Sequence, residues 1–156
     1  MKLSTRQGPE NLVELPFSRI LVGIDLSSPS SKILRRASYL ARKFDSQITI
    51  CNVANVITGV AGNEVDGYPA TSDEQKVLLE MEELVHKEFG DSGAKKIELK
   101  ILHGDPADRI VEYAEFCNAD LIILGSRSRG ALKRALLGSV SSAVVTNAVN
   151  SVLIIK

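Results

Sequence analysis

The chain has only two cysteines, Cys51 and Cys117, each inside an apolar stretch, with no Cys-x-x-Cys pair and no histidine at ligand spacing. A disulfide framework and a zinc site are therefore excluded as organising features, and both thiols are expected to be buried. Net charge is missing as well, because 19 Lys and Arg balance 19 Asp and Glu. No whole-molecule field draws in DNA, RNA or anionic lipid, so no nucleic-acid partner is expected. Long apolar runs are also absent: none approaches the ~20 residues that cross a bilayer, and residues 1–8 lack the apolar core of a signal peptide. No membrane partner is expected, and a cytoplasmic location is. Glycine (11) and proline (5) are not in excess, which removes fibrous and low-complexity classes.

What is present is ordinary globular composition, 44% hydrophobic and 24% charged over 156 residues, the size of one domain. Residues 1–18 are polar and unpatterned and read as a flexible N-terminal arm ahead of a domain over 19–156. Arg19–Ile24 (RILVGI) reads as a short, fully apolar strand. In the following DLSSPS turn, Ser28 is placed to cap a helix whose first residue is Pro29, with Ile33, Leu34, Ala37, Leu40, Ala41 and Phe44 at helical spacing. Gln47–Val53 is a second strand, and residues 54–70 form a loop long enough for a lid or for no ordered role.

Ser72 with Gln75 makes a capping box for a second helix, which Gly90 closes. Lys96–Leu102 alternates charged and apolar residues, as an edge strand does. Asp105-Pro106 starts a third helix with Ile110, Val111, Ala114 and Cys117 inward, and Leu121–Leu124 is a buried strand. Gly138 and Ser139 start a last helix reaching about Asn147, and Val152–Ile155 is the fifth strand. Strands that alternate with helices form a parallel sheet with right-handed crossovers, covered on both faces. With strand three at an edge, the order is 3-2-1-4-5: a doubly wound, five-stranded α/β domain. The loops leaving strands one and four then splay apart, and ligands bind in that crevice.

The segment from Gly125 to Ser142, GSRSRGALKRALLGSVSS, carries most chemistry, because it runs from a buried strand to a helix N-terminus through glycines and small hydroxyls. Those residues suit a phosphate, since glycine lets backbone approach an anion and a helix start offers N–H groups and the positive dipole end. The same residues equally serve a plain surface turn. It is no P-loop, for Ala131-Leu132 stand where Lys-Ser/Thr is required, and no dinucleotide fingerprint or nucleophile elbow occurs. Asp25, ending strand one, either accepts hydrogen bonds from a ribose or an adenine amino group or caps its own turn. Arg127, Arg129, Lys133 and Arg134 form a basic cluster beside the segment, attractive to phosphates or simply solvated. His86 and His103 have no carboxylate or thiol arranged around them in the sequence and are read as surface or boundary residues.

Three stretches, RILVGIDLSSPSSKIL, HGDPADRIVEYAEFCNADLIILGSRSRG and LKRALLGSVSSAVV leading to VLIIK, resemble the universal stress protein family over Ser18 to Lys156. The resemblance implies a Rossmann-like 3-2-1-4-5 sheet and a homodimer formed through the last strand, Val152 to Ile155. In the family's nucleotide-binding branch ATP straddles a motif of Gly, two residues, Gly, nine residues, Gly and Ser or Thr. Here Gly125 is the first glycine and Gly138-Ser139 the final pair, while Ser128 stands at the middle position. A serine forced into left-handed backbone geometry there costs ~1–2 kcal/mol, so binding weakened but not abolished is expected. By resemblance, Gly23, Ile24, Asp25 and Val53 surround adenine and ribose, and Leu124, Gly125, Ser128, Gly138, Ser139, Val140 and Ser141 line the phosphate side. The implied function is stress-response regulation by holding ATP or AMP, with or without Mg²⁺. No general base is visible at the crevice, so little or no turnover is expected. The other branch of the family implies a dimeric interaction module, without nucleotide, that binds a protein partner and is phosphorylated on the serines of DLSSPSS or GSVSS.

Overall fold

Uniformly apolar segments too short for helices become inner strands, and amphipathic segments become the helices that cover them. In the computed structural model, which describes residues 17–54, 71–126 and 137–156, the order is β1 (Arg19–Gly23), α1 (Ser30–Phe44), β2 (Gln47–Ala54), α2 (Ser72–Ala94), β3 (Ile97–His103), α3 (Pro106–Phe116), β4 (Leu121–Gly125), α4 (Ser139–Asn147) and β5 (Ser151–Ile155). All strand pairs are parallel and the sheet order is β3-β2-β1-β4-β5, as expected. Ile20, Val22 and Ile24 face one side with Ile33, Leu34 and Ala37 of α1 and Met81 and Val85 of α2. Leu21 faces the other side with Ile110 and Ala114 of α3 and Val144 of α4. Each of the Ile, Leu, Val and Met side chains among them contributes about 1.5–3 kcal/mol on full burial.

The expected N-terminal arm is described only at Phe17 and Ser18; its residues 1–16 lie outside the described residues, as does the 55–70 part of the 54–70 loop. Phe17 packs edge-on against Phe44 at 5.6 Å, and its carbonyl accepts from the Ser46 hydroxyl at 2.6 Å. The Ser18 carbonyl accepts from the Gln47 N–H at 2.8 Å, which starts the β1–β2 ladder.

Several boundaries differ from the sequence expectation by a residue. Helix α1 begins at Ser30, with Pro29 at its N-cap and no side-chain cap from Ser28. The reason is local: Asp25 Oδ1 accepts from the Ser27 N–H and hydroxyl, and the Ser30 N–H bonds the Ser27 carbonyl, so a closed turn precedes the helix. The capping box of α2 is Thr71 with Glu74 instead of Ser72 with Gln75. Glu74 accepts from the Thr71 N–H at 2.6 Å while Thr71 Oγ1 accepts from the Glu74 N–H at 3.3 Å. The Thr71 N–H, with smaller help from His103, holds the Glu74 carboxyl below its usual range. Gly90 breaks α2 at φ 72°, a left-handed value that favours glycine, but a further turn runs on to Ala94.

Both histidines have carboxylate partners that linear spacing did not indicate. His103 Nε2 meets Glu74 Oε1, brought there by packing of α2 on β3, and His86 Nδ1 lies 3.1 Å from Asp91, beyond the Gly90 break. Cys117 is the C-cap of α3 and only partly buried, whereas Cys51 is fully buried.

Helix α2 supplies a direct test of this packing. Met81 is 0% exposed in the core and Leu79 is 60% exposed on the outer face. Met81→Ala should lower the urea-derived unfolding free energy by about 2–5 kcal/mol, and Leu79→Ala should change it by less than about 0.5 kcal/mol.

Candidate functional site

The two inner strands end at different tethers. Past Gly23, one more ladder bond joins the Ile24 N–H to the Cys51 carbonyl at 2.9 Å, and then Asn52 Nδ2 donates to the Ile24 carbonyl at 2.9 Å. The Asp25 turn follows and leads into α1. Past Gly125, the Ser126 N–H bonds the Ile155 carbonyl at 2.9 Å, and the Ser126 carbonyl accepts from the Gly138 N–H at 2.7 Å. The start of α4 is thereby fastened to the end of β4. Ser141 adds to that junction, its hydroxyl lying 3.0 Å from the Gly138 carbonyl and 3.4 Å from that of Ser126.

Between these tethers lies a cavity of about 300 Å³, at the small end of the roughly 300–1,000 Å³ that ligand pockets occupy. Gly23, Leu124 and Gly125 form its floor at the strand ends. Glycine at 23 leaves room for its neighbours, since a Cβ would stand 2.6 Å from Leu124 Cδ2 and 3.3 Å from Ile110 Cδ1 and would oblige those side-chain ends to shift. Ile24, Asp25 and Ile33 border the cavity on the α1 side, and Cys51, Asn52 and Val53 come from β2. Pro106 and Ile110 come from α3, and Gly138, Val140 and Ser141 from α4.

The electrostatics of this rim differ from helix to helix. Asp105 Oδ1 accepts from the Ala107 and Asp108 N–H groups at 3.0 and 3.2 Å, and Thr71 and Glu74 do the same work for α2. Helix α4 has only Gly138 at its N-cap, in extended geometry (φ −62°, ψ 163°), and no side chain caps it. The amides of its first turn, Ser139 to Ser141, keep the positive end of the helix directed to the rim.

Of the residues expected at the site, Gly23, Ile24, Asp25, Val53, Leu124 and Gly125 line the cavity, as do Gly138, Val140 and Ser141. Ser139 does not line it; it is exposed at the first position of α4, while Ser141 two residues on is buried. Ser128 and the basic residues Arg127, Arg129, Lys133 and Arg134 lie outside the described residues. Of the two roles open for Asp25, the turn-closing one is seen directly at its Oδ1. Sequence reasoning missed Ile33, Cys51, Asn52, Pro106 and Ile110. Asn52 carried a signal, as a polar residue between Cys51 and Val53 in the C-terminal half of the strand.

A sequence profile of the universal stress protein family matches residues 16–156. The chain belongs to the universal stress protein family. It is similar to a universal stress protein of Methanocaldococcus jannaschii, at 33% identity over 146 residues, covering 90% of this chain and 82% of that one. Among solved structures, a universal stress protein in complex with cAMP superposes with a TM-score of 0.67 at 24% identity, covering 90% of this chain and 97% of that one. A universal stress protein from Archaeoglobus fulgidus in complex with dAMP gives 0.62 at 23% identity, covering 90% and 99%. The likeness to these two structures is one of fold.

The cavity wall also sets thiol reactivity. Burial pushes the Cys51 thiol up to about 12, so it stays protonated and unreactive at neutral pH. Iodoacetamide at pH 8 should modify the partly exposed Cys117 well before Cys51 in the native protein, and both alike in urea, as read by mass spectrometry of the peptides.

Proposed function

We propose that this universal stress protein is a regulator that holds an adenine nucleotide, ATP or AMP, in the crevice between β1 and β4, with little or no turnover. The observation that carries the reading is the glycine-capped N-terminus of α4 at one end of a cavity walled largely by apolar side chains. Such a terminus attracts a phosphate through its backbone N–H groups and dipole. Ile24, Val53, Ile110 and Leu124 supply the apolar surroundings that suit a base and ribose, near Asp25. Gly125, Gly138 and the amides of Ser139, Val140 and Ser141 supply the phosphate end, where Mg²⁺ accompanies ATP. The complexes of similar folds with cAMP and dAMP support an adenine ligand. Asp25 is the one carboxylate among the described lining residues, and the hold of Ser27 on its Oδ1 suits a positioning group better than a general base.

The same reading makes the protein a cytoplasmic homodimer joined through β5. In support, β5 pairs with β4 alone among the described strands, and Val152 to Ile155 are only half-buried in the single chain. The second reading, a phosphorylated interaction module that binds a protein partner and no nucleotide, is favoured by Ser128 at the middle glycine position of the motif. The acceptors are then serines of DLSSPSS or GSVSS; in the latter, Ser139 is exposed at a helix start, whereas the Ser141 hydroxyl is buried against two carbonyls.

Calorimetric titration of the ligand-stripped protein with AMP, and with ATP and Mg²⁺, separates the two readings. Micromolar binding, worth about 8 kcal/mol, is expected of the wild type, with a gain on Ser128→Gly. Gly138→Asp gives α4 a carboxylate cap of the kind α3 already has, and it should weaken nucleotide binding at least tenfold. Thermal stability should stay equal or rise slightly. Unchanged affinity in Gly138→Asp would refute the phosphate assignment, and silence from both wild type and Ser128→Gly would favour the interaction module.

A further inference from the structure

Helix α1 carries cations and no acid: Lys32, Arg35, Arg36, Arg42 and Lys43 stand among uncharged residues from Ser30 to Phe44. In a chain of zero net charge a helix of one sign needs a reason, because like charges three or four residues apart repel. Most of these cations have one within the fold. Arg35 holds Glu88 of α2 through Nε and Nη2, at 3.0 and 3.3 Å. Lys32 donates to the Lys156 carbonyl just past β5. Arg42 and Lys43 lie in the last turn, where the helix dipole favours positive charge.

Arg36 has no such account. It lies mid-helix, four residues from Lys32, and among the described residues no hydrogen bond or ion pair meets its exposed guanidinium. Three residues on, Tyr39 is 62% exposed. Lys32, Arg36, Tyr39 and Lys43 recur every three or four residues and so share one face, while the face opposite, with Leu34 and Ala37, is buried in the core. An exposed arginine beside an exposed tyrosine is the pair of residue types that most often anchors a protein interface.

We propose that this face of α1 docks an acidic helical segment of a partner protein, with Arg36 and Tyr39 at its centre and Lys43 at one end. Arg36 and Lys43 are two turns apart, about 10 Å, and so match two carboxylates at the same spacing on a helix laid alongside. The planar guanidinium takes one carboxylate through two N–H groups, and the ring of Tyr39 takes an apolar side chain between the two. The charge of the neighbouring helix narrows the choice of partner. Helix α2, packed against α1, exposes Glu80, Glu82 and Glu83, so a broad anionic surface such as duplex nucleic acid or a bilayer is repelled where a single slim segment is not. One helix face buries less than the ~1,200 Å² of a standard interface, so the association is transient and weakened by salt. This surface is separate from the crevice, and its role holds with or without a nucleotide there.

The probe is an alanine-rich helical peptide with two glutamates seven residues apart and a leucine midway, titrated into the intact labelled protein and followed by amide NMR shifts. The wild type should show shifts at Arg36, Tyr39 and Lys43, and the same peptide with glutamine for glutamate should show none. Arg36→Glu should weaken binding at least about tenfold, while Arg42→Glu, the same charge change on another side of the helix, should alter it less than about threefold. Tyr39→Ala, which leaves the charge untouched, should weaken it at least about threefold. Shifts that avoid this face, or none at all, overturn the proposal. So does an affinity that Arg36→Glu and Arg42→Glu reduce alike, which is the mark of unspecific charge attraction. All three variants change exposed residues, and a thermal melt confirms that each is folded. Tighter binding of a duplex oligonucleotide or of phosphatidylglycerol vesicles than of the acidic peptide overturns the choice of partner.

Discussion

The pairing of β1 with β4, through Ile20 with Leu121, Leu21 with Ile122 and Val22 with Ile123, is the constraint from which the rest of the structure follows. These strands are distant in sequence yet adjacent at the centre of the sheet. From β1 the chain crosses to β2 in one direction, and from β4 it crosses to β5 in the other. Right-handed crossovers in opposite directions must lie on opposite faces, so α1 and α4 leave the strand ends on different sides. Among the described residues no connection covers the gap between them, and the cavity lies in that gap. The same rule places α2 with α1 and α3 with α4, as the two core clusters show.

Element type and strand order were legible because the sequence signals agree with one another. The inner strands β1 and β4 are uniformly apolar, β3 alternates Glu98 and Lys100 with Ile97, Leu99 and Ile101, and the helices start at Asp105-Pro106 and Gly138-Ser139 as expected. Boundaries were less legible where two local solutions overlap. The stretch TSDEQ holds two capping boxes one residue apart, and the one with the charged Glu74 forms. At α1 the Asp25–Ser27 turn displaces the cap that Ser28 would have made. The partners of His86 and His103 depend on how α2 bends at Gly90 and packs on β3, which spacing alone does not encode.

At the candidate site, the residues at the ends of β1 and β4 and at the start of α4 were legible, because fold logic and motif point to the same place. Pro106 and Ile110 were not, since they reach the cavity only through the packing of α3 over the sheet. The phase of α4 also reverses one expectation: Ser139 faces outward and Ser141 inward, so the hydroxyl near the cavity is the one already tied to Gly138 and Ser126. What α4 offers a ligand is therefore mainly backbone. Asn52 shows how one polar residue can end a strand pairing, its amide donating to the Ile24 carbonyl just past the last β1–β2 ladder bond.

The central claim is that the first-turn amides of α4 receive the phosphate of a bound nucleotide. Amide chemical-shift mapping by NMR, with AMP and adenosine added separately to labelled protein, tests it most directly. The account predicts shifts at Ser139, Val140 and Ser141 with AMP that adenosine does not produce, alongside shifts near Ile24 and Val53 with both. Identical patterns from the two ligands, or shifts from AMP that avoid the start of α4, would contradict it.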